Sequence, residues 1–399
     1  MEAISPFEYD LSIRSDSNND RYRVWFYFSI SNVAQGQRVI LNITNFSKTR
    51  SLYREGMSPI VKSTSRPKWE RIPSKYVYYY RSPRHRKNYI LSFLFEFDRE
   101  SDTYFFAYSF PYTYTDLQRY LHFLDQQDFA FYKRELFCRS VQNRRVDKLT
   151  ITSPEPQATK LKRKKTIFIS CRVHPGESPA QYVAHGMIEF LVSDDPAAQI
   201  IRDNFIFHIV PMLNPDGVFL GNYRCSYLGF DLNRQWSHTS HWAHTPIYYT
   251  KREIIRLRRD PSVELDFYID THAHSTMMNG FMYGNTHDDS AFHEKELLYP
   301  KLLDMNAKDF SFSATQLNRD PNKAGTSRRT LGEQLKGAVH CYTLEVSFFC
   351  STVAGSKLKA EPYTQESYME LGRNVILTFL DFYRLPNPHR KSAINFNNL

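Results

Sequence analysis

The sequence predicts two domains in series, an antiparallel β-sandwich and then an α/β domain. Three observations carry that expectation. At 399 residues the chain is longer than one hydrophobic core ordinarily supports. Its first quarter is built from short aromatic and β-branched runs. From Lys165 onward, apolar strand-like runs alternate with segments of helical periodicity.

The runs Arg23 to Ile30, Gln37 to Ile43, Tyr89 to Phe97 and Tyr104 to Phe110 read as strands broken by Asn, Gly and Ser, the pattern of a sandwich. Ser58 to Lys75 carries Pro59, Pro67 and Pro73 and is expected to be an ordered loop. After Pro111 the periodicity turns helical, with Leu117, Tyr120, Leu121 and Leu124 on one face. The domains are therefore set at 1–112 and 113–386, with a tail at 387–399. The basic run 161–165 reads as a solvated turn before a buried strand, Thr166 to Val173. Ser178 to Val192 is a helix with Ser178 as its N-cap and Pro179 at its first position. Strands follow at Asn204 to Leu213, Glu264 to Ser275 and Tyr342 to Phe349, and a last helix near Glu366 to Tyr383.

No run approaches the roughly 18 apolar residues of a membrane helix, and the first residues lack a basic stretch followed by an apolar one. The expectation is a cytoplasmic chain with no membrane partner. The five cysteines are scattered without C-x-x-C spacing, which reads as reduced thiols. Formal net charge is +10, and Lys48 to Lys87 holds twelve basic residues against Glu55 and Glu70. Such a segment attracts an acidic partner. No nucleic-acid recognition module accompanies it.

Chemistry concentrates at strand ends. His174-Pro175-Gly176-Glu177 follows a buried strand, and Pro and Gly force a turn that aims His and Glu at one point. Two ligands cannot close a zinc site, so a third comes from elsewhere. His272, at the end of another strand, could supply it if the two strands lie side by side. His293-Glu294-Lys295-Glu296 repeats the His-x-x-Glu spacing, but on a polar helical stretch expected to be a solvated face. His238, His241 and His244 form a rival cluster, expected at the surface or cleft rim. His208 reads as a core histidine and His185 as the polar side of its helix. Arg224, Asn233 and Arg234 crowd one loop region and suit bidentate capture of a carboxylate, although surface ion pairs would look the same. Glu345 stands alone in an apolar strand, where burial raises a carboxyl's pKa toward that of a general base.

In order, HPGE, NPDG, Arg224, DLNR, DTHAHS and YTLEVSF resemble the motifs of the M14 zinc carboxypeptidases, and of their cytosolic branch in particular. The likeness runs from about residue 7 to 385. It implies a mixed-sheet zinc carboxypeptidase domain behind the sandwich, and one Zn2+ per chain held by His174, Glu177 and His272. It leaves His274 as the neighbouring position that does not bind metal. It implies Glu345 as general base and acid. Arg224, Asn233 and Arg234 become the groups that polarise the scissile carbonyl and hold the terminal carboxylate. Gly176 stands where the digestive branch has an arginine, so one subsite contact is missing. The side-chain pocket is expected from Lys323 to Thr330, with Arg328 or Arg329 meeting an acidic side chain.

The substrates this implies are glutamates on polyglutamate side chains or acidic C-termini, chiefly of tubulin. Partners would then be polyglutamylated microtubules and other acidic-tailed proteins, at microtubules, centrioles or cilia. The alternatives are an M14-type amidohydrolase acting on a small acylated amino acid, and a non-catalytic microtubule-binding protein.

Overall fold

The computed structural model describes residues 2–154, 161, 163–335, 337–352, 360–390 and 394. Most of the tail expected at 387–399, and Lys162 of the basic run, lie outside them. The strands that precede Tyr114 form two sheets. One holds β1 (Glu2–Ser5), β2 (Glu8–Leu11), β4 (Arg38–Ile43), β8 (Tyr89–Glu96) and β7 (Val77–Arg81), in that order. The other holds β3 (Tyr27–Ile30), β9 (Tyr104–Ala107), β5 (Ile60–Ser63) and β6 (Glu70–Arg71). All pairs are antiparallel except β2 with β4, which run parallel. Aromatic rings close the space between the sheets: Phe93 and Phe95 of β8 meet Phe106 of β9 at centroid distances of 5.9 and 5.0 Å.

Ser58 to Lys75 is not only loop, because β5 and β6 lie within it. Its three prolines fall outside those strands, at turns where no ladder hydrogen bond is lost.

The second part opens with α1 (Tyr114–Asp125), whose Thr113 and Asp116 form a capping box. A mixed sheet of eight strands follows, ordered β10-β11-β13-β12-β14-β17-β15-β16. These are β10 (Tyr132–Arg139), β11 (Arg145–Ile151), β12 (Lys165–Cys171), β13 (Phe205–Val210), β14 (Glu264–His274), β15 (Gly280–Gly284), β16 (Gln316–Leu317) and β17 (His340–Ser347). The central strands β13, β12, β14 and β17 are parallel neighbours.

Alternation along β12 divides the core in two. Ile167 and Ile169 join the cluster of α2 (Ser178–Val192), α3 (Pro196–Asn204) and α8 (Gln365–Phe382). Phe168 points the other way, into the layer of α5 (Thr245–Arg259) and α7 (Ser327–Gln334) with Ile254 and Leu331. The remaining helices are α4 (Pro215–Leu220) and α6 (Ser290–Asn306), and a small hairpin pairs β18 (Cys350–Thr352) with β19 (Ala360–Pro362). On α6 the expectation of a solvated face fails for Glu296. That side chain is fully buried, accepting from Asn285 N at 3.4 Å and pairing with His340 at 2.7 Å.

The two parts share one continuous core, where Tyr108 meets Phe348 at 5.3 Å. Arg71 crosses the seam to donate to the carbonyls of Phe349 and Tyr363. The buried carboxylate of Asp16 accepts the backbone N–H groups of Tyr223, Arg224 and Cys225 at 2.6, 2.7 and 2.7 Å.

Candidate active site

Strand register brings the scattered residues together. Cys171 of β12 lies opposite Thr271 of β14, and His272 of β14 lies opposite Glu345 of β17. The turn after β12 therefore opens beside the C-terminal end of β14, where parallel sheets place their sites. Arg172 begins that turn in a left-handed backbone conformation (φ 58°). Its buried guanidinium donates from Nε to Pro175 O at 2.7 Å, which fastens the turn. Gly176 follows because nothing larger fits: a Cβ there would stand 2.7 Å from the Tyr223 ring and 2.9 Å from its backbone.

His174, Glu177 and His272 converge with their ligand atoms within 4.8 Å of one another, and all three are buried. Glu177 offers Oε1 to His174 Nδ1 at 2.8 Å and Oε2 to His272 Nδ1 at 2.9 Å, and the two Nδ1 atoms are 3.2 Å apart. The far nitrogen of each ring is held by a carboxylate: His174 Nε2 by Asp231 at 3.1 Å and His272 Nε2 by Asp270 at 2.9 Å. Those carboxylates fix the proton on Nε2, so both Nδ1 lone pairs face inward beside a carboxylate. Such a set needs positive charge between its members, from a proton or from a metal ion. Its spacings approach the roughly 3.3 Å separating donor atoms on a tetrahedral zinc with 2.0–2.1 Å bonds. The residues fit a zinc ion.

Ser178 is not the N-cap of α2. Glu177 holds that position but makes no capping bond, because both of its oxygens are turned to the histidines. His274 stands apart from the three ligands, and burial pushes it down to about 4. The sequence singles out neither Asp231 nor Asp270, although DLNR and DTHAHS contain them. Nothing in a string of residues reveals that a carboxylate stands behind a histidine.

A cavity of about 270 Å3 opens over the three ligands and is lined also by Arg224, Asn233, Arg234, Lys323, Arg328 and Glu345. Burial raises Glu345 to about 7; His272 opposes this and the charge of Glu177 adds to it. Arg224 is pinned through Nε to Asp231 at 2.7 Å. Burial works against its charge, but Asp231 and then Glu177 hold it protonated. Asn233 Oδ1 accepts the Ser327 N–H at 3.0 Å, which fixes the amide with its Nδ2 3.1 Å from His272 Nε2, an atom already bonded to Asp270. Arg234 reaches back to Asn233 O at 2.8 Å.

Arg328, on α7, is 3% exposed and bonds the carbonyls of Gly284 and Asn318 and the amide oxygens of Asn285 and Asn318. No carboxylate lies within 4.0 Å of it among the described residues. Arg329 does not line the cavity. Burial, then Arg234, pushes Lys323 down in the same cavity.

The other histidines stay out of this centre. His238 and His241 are exposed, whereas His244 is buried at the start of α5, its Nδ1 accepting Ser240 N–H at 3.2 Å. His208 bonds Thr150 at 3.1 Å, and His185 is stacked on Tyr120 at 3.8 Å. No helix among the described residues is long and apolar enough to cross a membrane.

Known proteins share both the sequence and the fold. A family model described as zinc carboxypeptidase matches residues 117–346, and one described as cytosolic carboxypeptidase N-terminal domain matches 1–109. Cytosolic carboxypeptidase 6 of Mus musculus is 57% identical over 99% of this chain and 73% of its own length. Its Homo sapiens counterpart is 55% identical over 99% of this chain and 78% of its own. A solved metallo-carboxypeptidase from Burkholderia cenocepacia superposes with a TM-score of 0.80 at 21% identity, covering 96% of this chain and 95% of its own. By these matches, and by the metal-fitting triad at the ends of β12 and β14, the chain is a metallocarboxypeptidase that belongs to the zinc carboxypeptidase family, in its cytosolic branch.

Proposed function

We propose that this enzyme removes C-terminal glutamates from polyglutamate side chains or acidic C-termini of proteins, tubulin chief among them. The observation that carries the reading is Arg328: a buried guanidinium, bonded only to neutral oxygens, at the wall of the catalytic cavity. A buried charge with no carboxylate in contact among the described residues is costly, and the side-chain carboxylate of a departing glutamate would supply that contact. Lys323 adds a second cation on that wall. An apolar C-terminal residue would leave both unpaired.

In this reading Arg234 and Asn233 take the terminal α-carboxylate, which restricts cleavage to a chain end. A zinc ion on His174, Glu177 and His272 supplies Lewis acidity toward the scissile carbonyl and toward water. Glu345 receives the proton of the attacking water as its oxygen bonds to the carbonyl carbon. The same carboxyl then delivers that proton to the nitrogen as the C–N bond breaks. Burial pushes this carboxyl upward, the direction that suits a group which first accepts a proton and then returns it. Arg224 faces the oxygen on which charge develops.

The test is release of free glutamate from polyglutamylated tubulin by wild type and by Glu345→Gln at equal zinc content. Release by wild type, reduced by roughly 100- to 10,000-fold in the variant, is the expected result. No release by zinc-loaded wild type from this substrate overturns the reading.

A further inference from the structure

The twelve basic residues between 48 and 87 do not act as one patch. Arg71 is spent at the domain seam, Arg66 is paired with Asp98 at 2.7 Å, and Arg54 lies over the Tyr89 ring. Of this segment only Lys48 lines the catalytic cavity. It arrives from the other domain. Its carbonyl accepts the hydroxyl of Tyr79 on β7, and its ammonium donates to Ser275 Oγ while resting 4.9 Å from the Tyr223 ring centroid. Tyr223 is the ring that occupies the space left by Gly176. No carboxylate lies within 4.0 Å of the Lys48 ammonium among the described residues.

A second cavity, of about 690 Å3, continues from the first across the seam. The two share Lys48, Tyr223, Arg224 and Arg234, and the second adds Asn19 and Arg21 from the sandwich. Its one acid, Asp231, already has its oxygens on His174 and Arg224. Ser275 is three residues past His272, so the backbone between them spans at most roughly 11 Å, the length of three extended residues.

Resting on the glutamate-releasing reading, we infer that Lys48 is a substrate-binding residue contributed by the N-terminal domain. It takes the side-chain carboxylate of a glutamate just upstream of the scissile bond, and the chain then leads along the seam toward Arg21. The enzyme would thus read an acidic run as well as an acidic end. The occupant it fits is a chain of consecutive glutamates.

Two blocked tripeptides separate this role from a structural one: acetyl-Glu-Glu-Glu and acetyl-Gln-Gln-Glu, both of which release glutamate. Wild type is expected to favour the first. Lys48→Met should lower kcat/KM on the first by about 10- to 100-fold more than on the second, the worth of one charge-assisted contact. Lys48→Arg should keep most of the preference. Raising salt should narrow the wild-type preference while leaving the Met variant's ratio nearly flat. Equal losses on both peptides, or none on either, overturn the inference; with release by wild type intact, the glutamate-releasing reading survives them. Release from neither peptide by zinc-loaded wild type overturns that reading and this inference together.

Discussion

Replacing Asp16 by alanine should disable an active site whose cavity Asp16 does not line. Its carboxylate accepts three backbone N–H groups, of Tyr223, Arg224 and Cys225, and is 4% exposed. Hydrogen bonds to a charged group are each worth about 1.5–3 kcal/mol, so a rigid loop would lose up to roughly 4–9 kcal/mol. The loop will not stay rigid. Opening it to water relieves the orphaned donors, and a loss of about 2–4 kcal/mol in folding stability is expected. The motion carries Arg224 with it, and a 1 Å misplacement of a positioned group is worth about 100-fold in rate. The loss should fall on kcat more than on KM, because in the proposed mechanism Arg224 faces charge that develops after binding. Zinc content is read alongside, since Tyr223 O of the same loop accepts the Gly176 N–H between the ligands His174 and Glu177. Asp16→Asn keeps one acceptor oxygen but turns an amide N–H toward a backbone N–H, so it should fall between. The assay is glutamate release at saturating and limiting substrate, with thermal unfolding and zinc stoichiometry on the same samples. Wild-type kcat with an unchanged unfolding temperature would refute the reasoning.

Other perturbations have equally definite outcomes. Arg328→Gln should cut kcat/KM on peptides ending in Glu by about 10- to 100-fold more than on peptides ending in Gln, read by competition between the two. Chelation should lower the unfolding temperature by the equivalent of about 4 kcal/mol where zinc had stood at 1,000 times its Kd, and zinc should restore it, in Glu345→Gln as in wild type. Gly372→Ala gains about 1 kcal/mol of helix propensity, but its Cβ would stand 2.1 Å from Val183 O at the crossing of α8 and α2. The clash wins, and denaturant melts should show a net loss of about 1–3 kcal/mol. Asp147 has a fully buried side chain paired with Arg134 and Arg145, and although burial opposes its charge, Arg134, Gln118 and Arg145 hold its pKa below the ordinary value. Its stabilisation is therefore complete above the unfolded pKa, near 4, and lost as pH falls through the folded value. Against Asp147→Asn, wild type should lead by roughly 3–5 kcal/mol at neutral pH, a gap that closes in acid melts below pH 4.

The sequence was most legible where local chemistry and burial agree. The β12 run carries Ile167, Phe168 and Ile169 in a row and the turn after it holds Pro and Gly, so strand, turn and ligand pair could be read together. That the third ligand lies beside this turn depended on β12 and β14 being neighbours, a condition the sequence states only as a possibility. Elements on the margin escaped. The hairpin of β10 and β11 leaves no clear pattern, because β10 is a largely unburied edge strand whose Lys133, Arg134 and Glu135 mask any alternation. Glu296 defied its polar neighbourhood, since its partner His340 lies 44 residues away. The same limit hid Asp231 and Asp270 behind their histidines: a residue that acts through another leaves no spacing to read.

Lys48 and Asp16 extend that point from residues to domains. By composition the sandwich is a self-sufficient β module, and its basic segment could only be read as a diffuse attractive field. In the folded chain one lysine of that segment stands in the catalytic cavity, and one buried aspartate braces the loop that carries Arg224. Neither side chain can do this at the length of a flexible tether. Tyr79 fixes the backbone of Lys48, and the shared core around Tyr108 and Phe348 fixes the seam on which both depend. A long-range field would raise the encounter rate with any acidic protein and would fade with salt. A cation held beside the metal-binding triad, in the role inferred for Lys48, would instead select where along an acidic chain the cut falls. On that inference the N-terminal domain would form the upstream wall of the active site and would not act as a separate recruiting module.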